Sequence, residues 1–137
     1  MKTRTIRQTA TFAATPHEVY ETLMDSRRHA RLTGAPARIS RKIGGAFTAF
    51  GGSLSGSVIA LNVDQKIVLA WRADDWPPGH HSRATFTLTR LATGTRLRLY
   101  QGGVPAPHAD GIRDGWIRFY WAPMKALFSQ GGPSPST

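Results

Sequence analysis

The sequence predicts an α+β fold in which a curved antiparallel β-sheet of about seven strands wraps around one long C-terminal helix, with two short helices after the first strand. Three observations lead there. Short apolar runs recur between residues 37 and 101, separated by Gly44-Gly45, Gly51-Gly52, Asp64-Gln65 and Thr93-Gly94, residues that hairpin turns require. A helix-start signal stands at Thr15-Pro16-His17-Glu18. An aromatic stretch from Gly115-Trp116 through Tyr120-Trp121-Ala122-Pro123 carries helical spacing.

Taken in order, residues 3–13 alternate, with Ile6, Gln8, Ala10 and Phe12 on one side, which predicts an opening strand. Thr15 is placed to cap the helix that follows, Pro16 suits its first position, and Glu18 stands three residues after the cap. Val19, Tyr20, Leu23 and Met24 give that helix an apolar side. After Asp25-Ser26 a second short helix runs from Arg27 to about Leu32 and stops at Gly34 and Pro36. Candidate strands then cover 37–42, 46–50, 54–63, 66–73, 82–91 and 95–101, and 102–109 reads as a Gly/Pro loop.

The last helix is expected to end near Ser129. Ile112, Trp116, Phe119, Tyr120, Pro123 and Leu127 form one broad apolar side, with Ile117, Trp121, Met124 and Phe128 as a stripe beside it. Asp114 and Arg118 stand as an i,i+4 pair. So wide an apolar surface calls for cover beyond the sheet, from the short helices or from a second subunit. Pro123 has no N–H and is expected to bend the helix, at roughly 3 kcal/mol in an ordinary helix interior. The chain reads as one domain over 1–130, with 131–137 a disordered tail that has no apolar residue to bury.

Composition narrows the function classes. The absence of cysteine excludes disulfides and thiolate metal sites. Lys2, Arg4 and Arg7 precede no apolar run of signal-peptide type, and no window approaches about 18 uninterrupted apolar residues, so a cytoplasmic location without a membrane span is expected. Arg and Lys number 18 against 8 acidic residues, a net charge of +10 that favours anionic partners. No run of five or six basic residues marks an arm or tail, so a scattered basic surface is the simpler reading.

Several segments together resemble a known family: Thr15-Pro16-His17-Glu18-Val19-Tyr20 with Leu23, Ile43-Gly44-Gly45-Ala46-Phe47, Gly56 with Val58, Val68-Leu69-Ala70-Trp71-Arg72, Gly94-Thr95-Arg96-Leu97, and Gly115-Trp116 with Tyr120-Trp121 and Pro123. Over about residues 8–129 the chain resembles the helix-grip fold of the START-like superfamily. More narrowly, it is similar to bacterial proteins classed with the activator of heat-shock protein 90 ATPase. The resemblance implies a hydrophobic cavity between the last helix and the concave sheet, used in relatives for apolar molecules. It also implies a co-chaperone as an alternative, although the eukaryotic namesake carries an additional N-terminal domain for which this chain has no room. The strong positive charge is not a family property.

Strand parity locates the expected cavity wall. Ala84, Phe86 and Leu88 share one face of their strand, and Leu97 and Leu99 share one face of the next. On 66–73 both faces are apolar, and Trp71 is assigned inward because its bulk gains most from burial. With Phe47, Trp116 and Tyr120 these residues form an aromatic chamber, and Trp76, in the 74–81 loop, stands to cover its mouth. The ligand-binding set is therefore Phe47, Trp71, Trp76, Phe86, Leu88, Leu97, Leu99, Trp116 and Tyr120; the competing reading is that the rings simply fill the core. The expected ligand is a small apolar or amphipathic molecule, lipid-like or aromatic, with Tyr120, the indole N–H groups of Trp71 and Trp116, and Arg72 available to orient it.

No cofactor, metal site or catalytic residue is assigned. Asp74-Asp75 and His80-His81 lie within eight residues but lack established ligand spacing. No Gly-x-Ser-x-Gly elbow appears, and Gly44-Gly45 lacks the Lys-Ser/Thr pair of a phosphate loop. Candidate partners are a small hydrophobic molecule, a chaperone or other protein, and a second copy of the chain through Trp121 and Phe128. Nucleic acid is disfavoured, because Tyr100 is the one plausible stacking ring on the outer sheet face with Arg83, Arg96 and Arg98.

Overall fold

A computed structural model describes residues 1–130; the expectation for 131–137 lies outside the described residues. The chain opens with strand β1 (Thr3–Phe12), then helices α1 (Pro16–Met24) and α2 (Ser26–Thr33). Strands β2 (Arg38–Ile39), β3 (Ala46–Ala49), β4 (Leu54–Asn62), β5 (Lys66–Ala73), β6 (Ser82–Leu91) and β7 (Gly94–Pro105) follow. The terminal helix comprises α3 (Ala109–Trp116), a π-helical turn (Ile117–Trp121) and α4 (Ala122–Gln130). All strands pair antiparallel in one seven-stranded sheet ordered β1-β7-β6-β5-β4-β3-β2, so the first and last strands meet. The expected α+β helix-grip architecture is the one observed.

Local chemistry sets the ends of the short helices. Thr15 Oγ1 accepts from the Glu18 amide at 3.1 Å and the Glu18 carboxylate accepts from the Thr15 amide at 3.2 Å, a closed capping box. The Asp25 carboxylate accepts from the Arg28 amide at 3.0 Å to start α2, and Gly34, at φ 76°, ends it in the left-handed region.

Three expectations shift. The strand drawn over 37–42 shrinks to Arg38–Ile39, because the chain folds at once into a turn: Ser40 Oγ accepts from the Lys42 amide at 3.1 Å, and the Gly45 amide donates to the Lys42 carbonyl at 3.0 Å. A Cβ on Gly45 would lie 2.0 Å from Ser40 Oγ, so this turn demands glycine. The loop drawn from 102 is strand as far as Pro105. An irregularity between Arg4 and Ile6 lets Gly102-Gly103 pass, and pairing resumes as Arg4 with Val104 and Thr3 with Pro105.

The third shift concerns the terminal helix. The Ala122 amide donates to the Ile117 carbonyl five residues back, one residue more than an α-turn spans. The widened turn directly precedes Pro123, which has no N–H to offer the Phe119 carbonyl. It sends Tyr120 and Trp121, four and five residues after Trp116, to the same side: all three are buried, and the Trp116 and Trp121 rings stack at 5.5 Å with 14° between planes. Phe119, Ile117 and Leu127, which a regular helix would bury, are 45%, 48% and 44% exposed. Trp121 and Phe128 need no second subunit to cover them, since Phe12 of β1 packs on both, at 6.3 and 5.9 Å. The expected Asp114–Arg118 pair is absent among the described residues; Asp110 pairs with Arg113 at 2.9 Å, and Arg118 lies over the Phe119 ring.

Candidate functional site

The inner face of the sheet is apolar at the expected parity. Ala84, Phe86, Leu88, Leu97 and Leu99 are buried, and Thr87, Thr89 and Arg98 are exposed opposite them. Trp71 and Phe47 are buried on that inner face, and Trp116 of α3 is buried against it. Where these groups meet the terminal helix, rings fill most of the space: Trp116 stands 5.8 Å from Trp71, 5.5 Å from Phe86 and 4.8 Å from Tyr120. An inner void of about 30 Å³ remains, lined by Phe47, Ile67, Trp71, Phe86, Trp116 and Tyr120 among others. That is room for little more than a water molecule.

The larger space lies outside this layer. A groove of about 380 Å³ opens between the 3-10 turn Phe50–Gly52 with Ser53 and Leu54 on one side and α3 with the π-turn on the other. Phe50, Leu54, Ile112 and Phe119 supply its apolar rim, and Trp71, Trp116 and Tyr120 form its floor. Those three rings also line the inner void, so they are the partition between the two spaces. The groove persists because its walls are thin: Gly111 and Gly115 face it from the helix and Ser53 from the turn before β4. Of the residues expected to line a cavity, Trp71, Trp116 and Tyr120 reach the groove, and Phe47 and Phe86 reach only the inner void. Leu88, Leu97 and Leu99 line neither space and serve the packed core.

Trp76 is buried as well, but against Trp71 at 5.4 Å and flanked by His80 and His108, at the sheet end rather than over the groove. Arg72, considered for anion contact, donates through Nη2 to the Trp76 carbonyl at 3.0 Å and so holds the 74–81 loop. His80 Nε2 donates to the Gly103 carbonyl at 2.7 Å, tying the same loop to β7.

Two buried polar systems were not expected. The Trp116 indole N–H donates to Gln101 Oε1 at 2.8 Å, Gln101 Nε2 donates to Ser82 Oγ at 2.9 Å, and Ser82 Oγ donates to the Trp71 carbonyl at 2.9 Å. This chain fixes the Trp116 indole of the groove floor and ties it to the Trp71 backbone. Its sequence signal was Gln101, which shares the inward parity of Leu97 and Leu99. In the second system, His29 Nδ1 donates to the Leu23 carbonyl at 2.9 Å, which leaves Nε2 to accept from the Tyr120 hydroxyl at 2.7 Å. Burial holds the His29 imidazole below its ordinary pKa despite the opposing Leu23 bond, and burial pushes the Tyr120 phenol up. Both groups are therefore neutral near pH 7, and the Tyr120 ring is locked by its hydroxyl.

Comparison with known proteins places this arrangement. A family model described as activator of Hsp90 ATPase homolog 1-like protein matches residues 13–129. The chain is 33% identical over 121 residues to human activator of 90 kDa heat shock protein ATPase homolog 1, covering 88% of this chain and 36% of that protein. It is also 33% identical over 131 residues to an uncharacterized protein of Schizosaccharomyces pombe, covering 96% of this chain and 39% of that one. It thus spans less than two-fifths of the length of these curated relatives. The crystal structure of an HSP90 activator from Plasmodium falciparum superposes with a TM-score of 0.87 at 22% identity, covering 91% of this chain and 96% of the other. With the family model spanning most of the sheet and all but the last residue of the terminal helix, this chain belongs to the activator of Hsp90 ATPase homolog 1-like family.

Proposed function

We propose that the protein binds a small apolar or amphipathic molecule in the groove between the Phe50–Leu54 segment and the terminal helix. The observation that carries this reading is the open volume of about 380 Å³ over the Trp71, Trp116 and Tyr120 floor. It falls within the range of about 300–1,000 Å³ typical of small-molecule sites. The rim is apolar and the Tyr120 hydroxyl is already engaged, so shape and burial select the occupant more than hydrogen bonding does. The ligand set is then Trp71, Trp116 and Tyr120 as floor with Phe50, Leu54 and Phe119 as rim, and no catalytic step is assigned.

Titration with 1-anilinonaphthalene-8-sulfonate or a medium-chain fatty acid, followed by tryptophan fluorescence, tests it. Quenching that a Gly115→Leu variant weakens about tenfold supports the groove as the site. Unchanged fluorescence, or equal quenching in the variant, removes the reading.

A second reading is a co-chaperone-type interaction module that contacts a chaperone through its surface. It is favoured by the 33% identity to the human activator, which extends over 88% of this chain. Co-purification with an Hsp90 and stimulation of its ATPase by the purified chain is the expected result; no change in turnover at saturating protein would end it.

A further inference from the structure

We propose that the outer face of the sheet is a docking surface for an acidic, extended protein segment, independently of what the groove holds. The face is defined by register. Lys66 of β5, Thr87 of β6, Arg98 of β7 and Thr9 of β1 lie in one row across four strands. Thr89, Arg96 and Thr11 form the next row, and Thr85, Tyr100 and Arg7 the row on the other side. Arg83 stands opposite Gly102 beyond them. Of these, Arg7, Lys66, Arg83 and Arg98 are exposed and Arg96 is half-buried.

The acidic residues are all elsewhere. Glu18 and Glu21 are in α1, Asp25 lies between α1 and α2, and Asp64, Asp74 and Asp75 are in turns. Asp110 and Asp114 are in α3. No strand contains a carboxylate, and none of the five outer-face cations makes an ion pair among the described residues. On the helix side Arg27, Arg28, Arg31 and Arg118 are also without an ion pair among the described residues, but carboxylates share that side, and Arg41 and Arg113 pair with Glu21 and Asp110 there. A field of unpaired cations without internal counter-charge attracts and orients an anionic partner.

The side-chain types favour a protein partner over a nucleic acid or a membrane. The one aromatic ring on the face, Tyr100, is 49% exposed and already carries the Arg7 guanidinium 5.0 Å from its centroid, so the face lacks the series of rings on which successive bases stack. No large aliphatic side chain stands exposed within the rows to enter a bilayer; the exposed Ile117, Phe119 and Leu127 are on the helix side, and Ile43 and Val63 are in turns. Four of the five cations are arginine, whose planar fork suits carboxylates, and threonine hydroxyls lie between them. Arg96 and Arg98 are two residues apart on one strand, a repeat of about 6.7 Å, which matches alternate carboxylates of an extended chain.

The test uses a fluorescein-labelled peptide of alternating glutamate and serine, read by anisotropy with the 137-residue chain. The expected result is saturable binding that weakens as salt rises to about 150 mM and falls about tenfold in an Arg83→Glu/Arg98→Glu variant with unchanged circular dichroism. An Arg27→Glu/Arg28→Glu variant on α2 carries the same change in net charge and is expected to lose less than about twofold. Equal losses in the two variants would reduce the effect to overall charge and overturn the proposal. Tighter binding of an oligothymidylate or of phosphatidylserine vesicles, lost in the Arg83/Arg98 variant, would overturn the choice of partner. Amide NMR shifts of the unmodified protein must also cluster on β6 and β7 when the peptide is added; clustering on α2 would overturn the assignment without any variant.

Discussion

The terminal helix meets the sheet in two different ways along its flanks. Toward β1 and β7, Phe12 packs on Trp121 and Phe128, the Trp121 indole donates to Gln8 at 2.7 Å, and the Trp116 indole donates to Gln101. Toward the start of β4, Phe50 reaches Phe119 at 5.6 Å and Tyr120 at 6.2 Å, and beneath that bridge the groove stays open. The difference follows side-chain size. β1 sends Ile6, Gln8, Ala10 and Phe12 inward, whereas residues 51–57 read Gly-Gly-Ser-Leu-Ser-Gly-Ser and have one large side chain among seven. Open volume here is a property of one poorly filled flank, not of the sheet's curvature alone.

Gly56→Ala should break the open flank most severely. A Cβ there would lie 1.7 Å from the Ala70 carbonyl oxygen and 2.8 Å from Phe47, so β4 and β5 must separate. A loss of about 3 kcal/mol is expected in urea unfolding. An unchanged midpoint would mean that these strands are not so closely apposed.

Gln101→Leu tests the closed flank. It leaves the Trp116 N–H without its acceptor and Ser82 Oγ without its donor in a dry interior. The expected cost is about 2 kcal/mol by the same measurement, with dye binding in the groove changed by less than about twofold. A larger effect on binding than on stability would show that the polar chain acts on the groove.

His29 ties α1 to the terminal helix through Tyr120 and gives a smaller, pH-dependent effect. Its folded pKa lies below the ordinary value of 6.5, so the unfolded chain takes up the proton first. Its stabilising contribution is complete above about pH 6.5 and is lost as pH falls below that value toward the folded pKa. The urea midpoint of the native protein should therefore decline more steeply below pH 6.5 than that of a His29→Gln variant; parallel curves would contradict the neutral, buried imidazole.

The smallest change in stability is expected from Gly115→Leu, a gain of about 0.8 kcal/mol from helix propensity. A Cβ at this position lies 3.9 Å from Phe119, an ordinary contact, and Gly115 lines the groove, so the rest of the leucine is expected to fill it. Higher stability with unaltered dye affinity would place the dye elsewhere.

The order of elements, the capping box, the inward parity of β6 and β7 and the burial of Trp71 were all legible in the sequence, because each rests on residues close together in the chain. Less local features were not. The partner of His29 is 91 residues away, and nothing near His29 announces it. The π-turn had a signal in Pro123, but a bend and a widened turn answer the missing N–H equally well, and only the second turns Phe119 outward. Void volume was hidden for a different reason. It is a small difference between the space the backbone encloses and the space side chains fill, and no single residue encodes it.

The four indoles form an unbroken series, with Trp76 5.4 Å from Trp71, Trp71 5.8 Å from Trp116, and Trp116 5.5 Å from Trp121. At such separations excitation absorbed by one chromophore migrates to its neighbours far faster than it is emitted. The protein should behave optically as a single antenna, so that a quencher touching either central indole darkens all four.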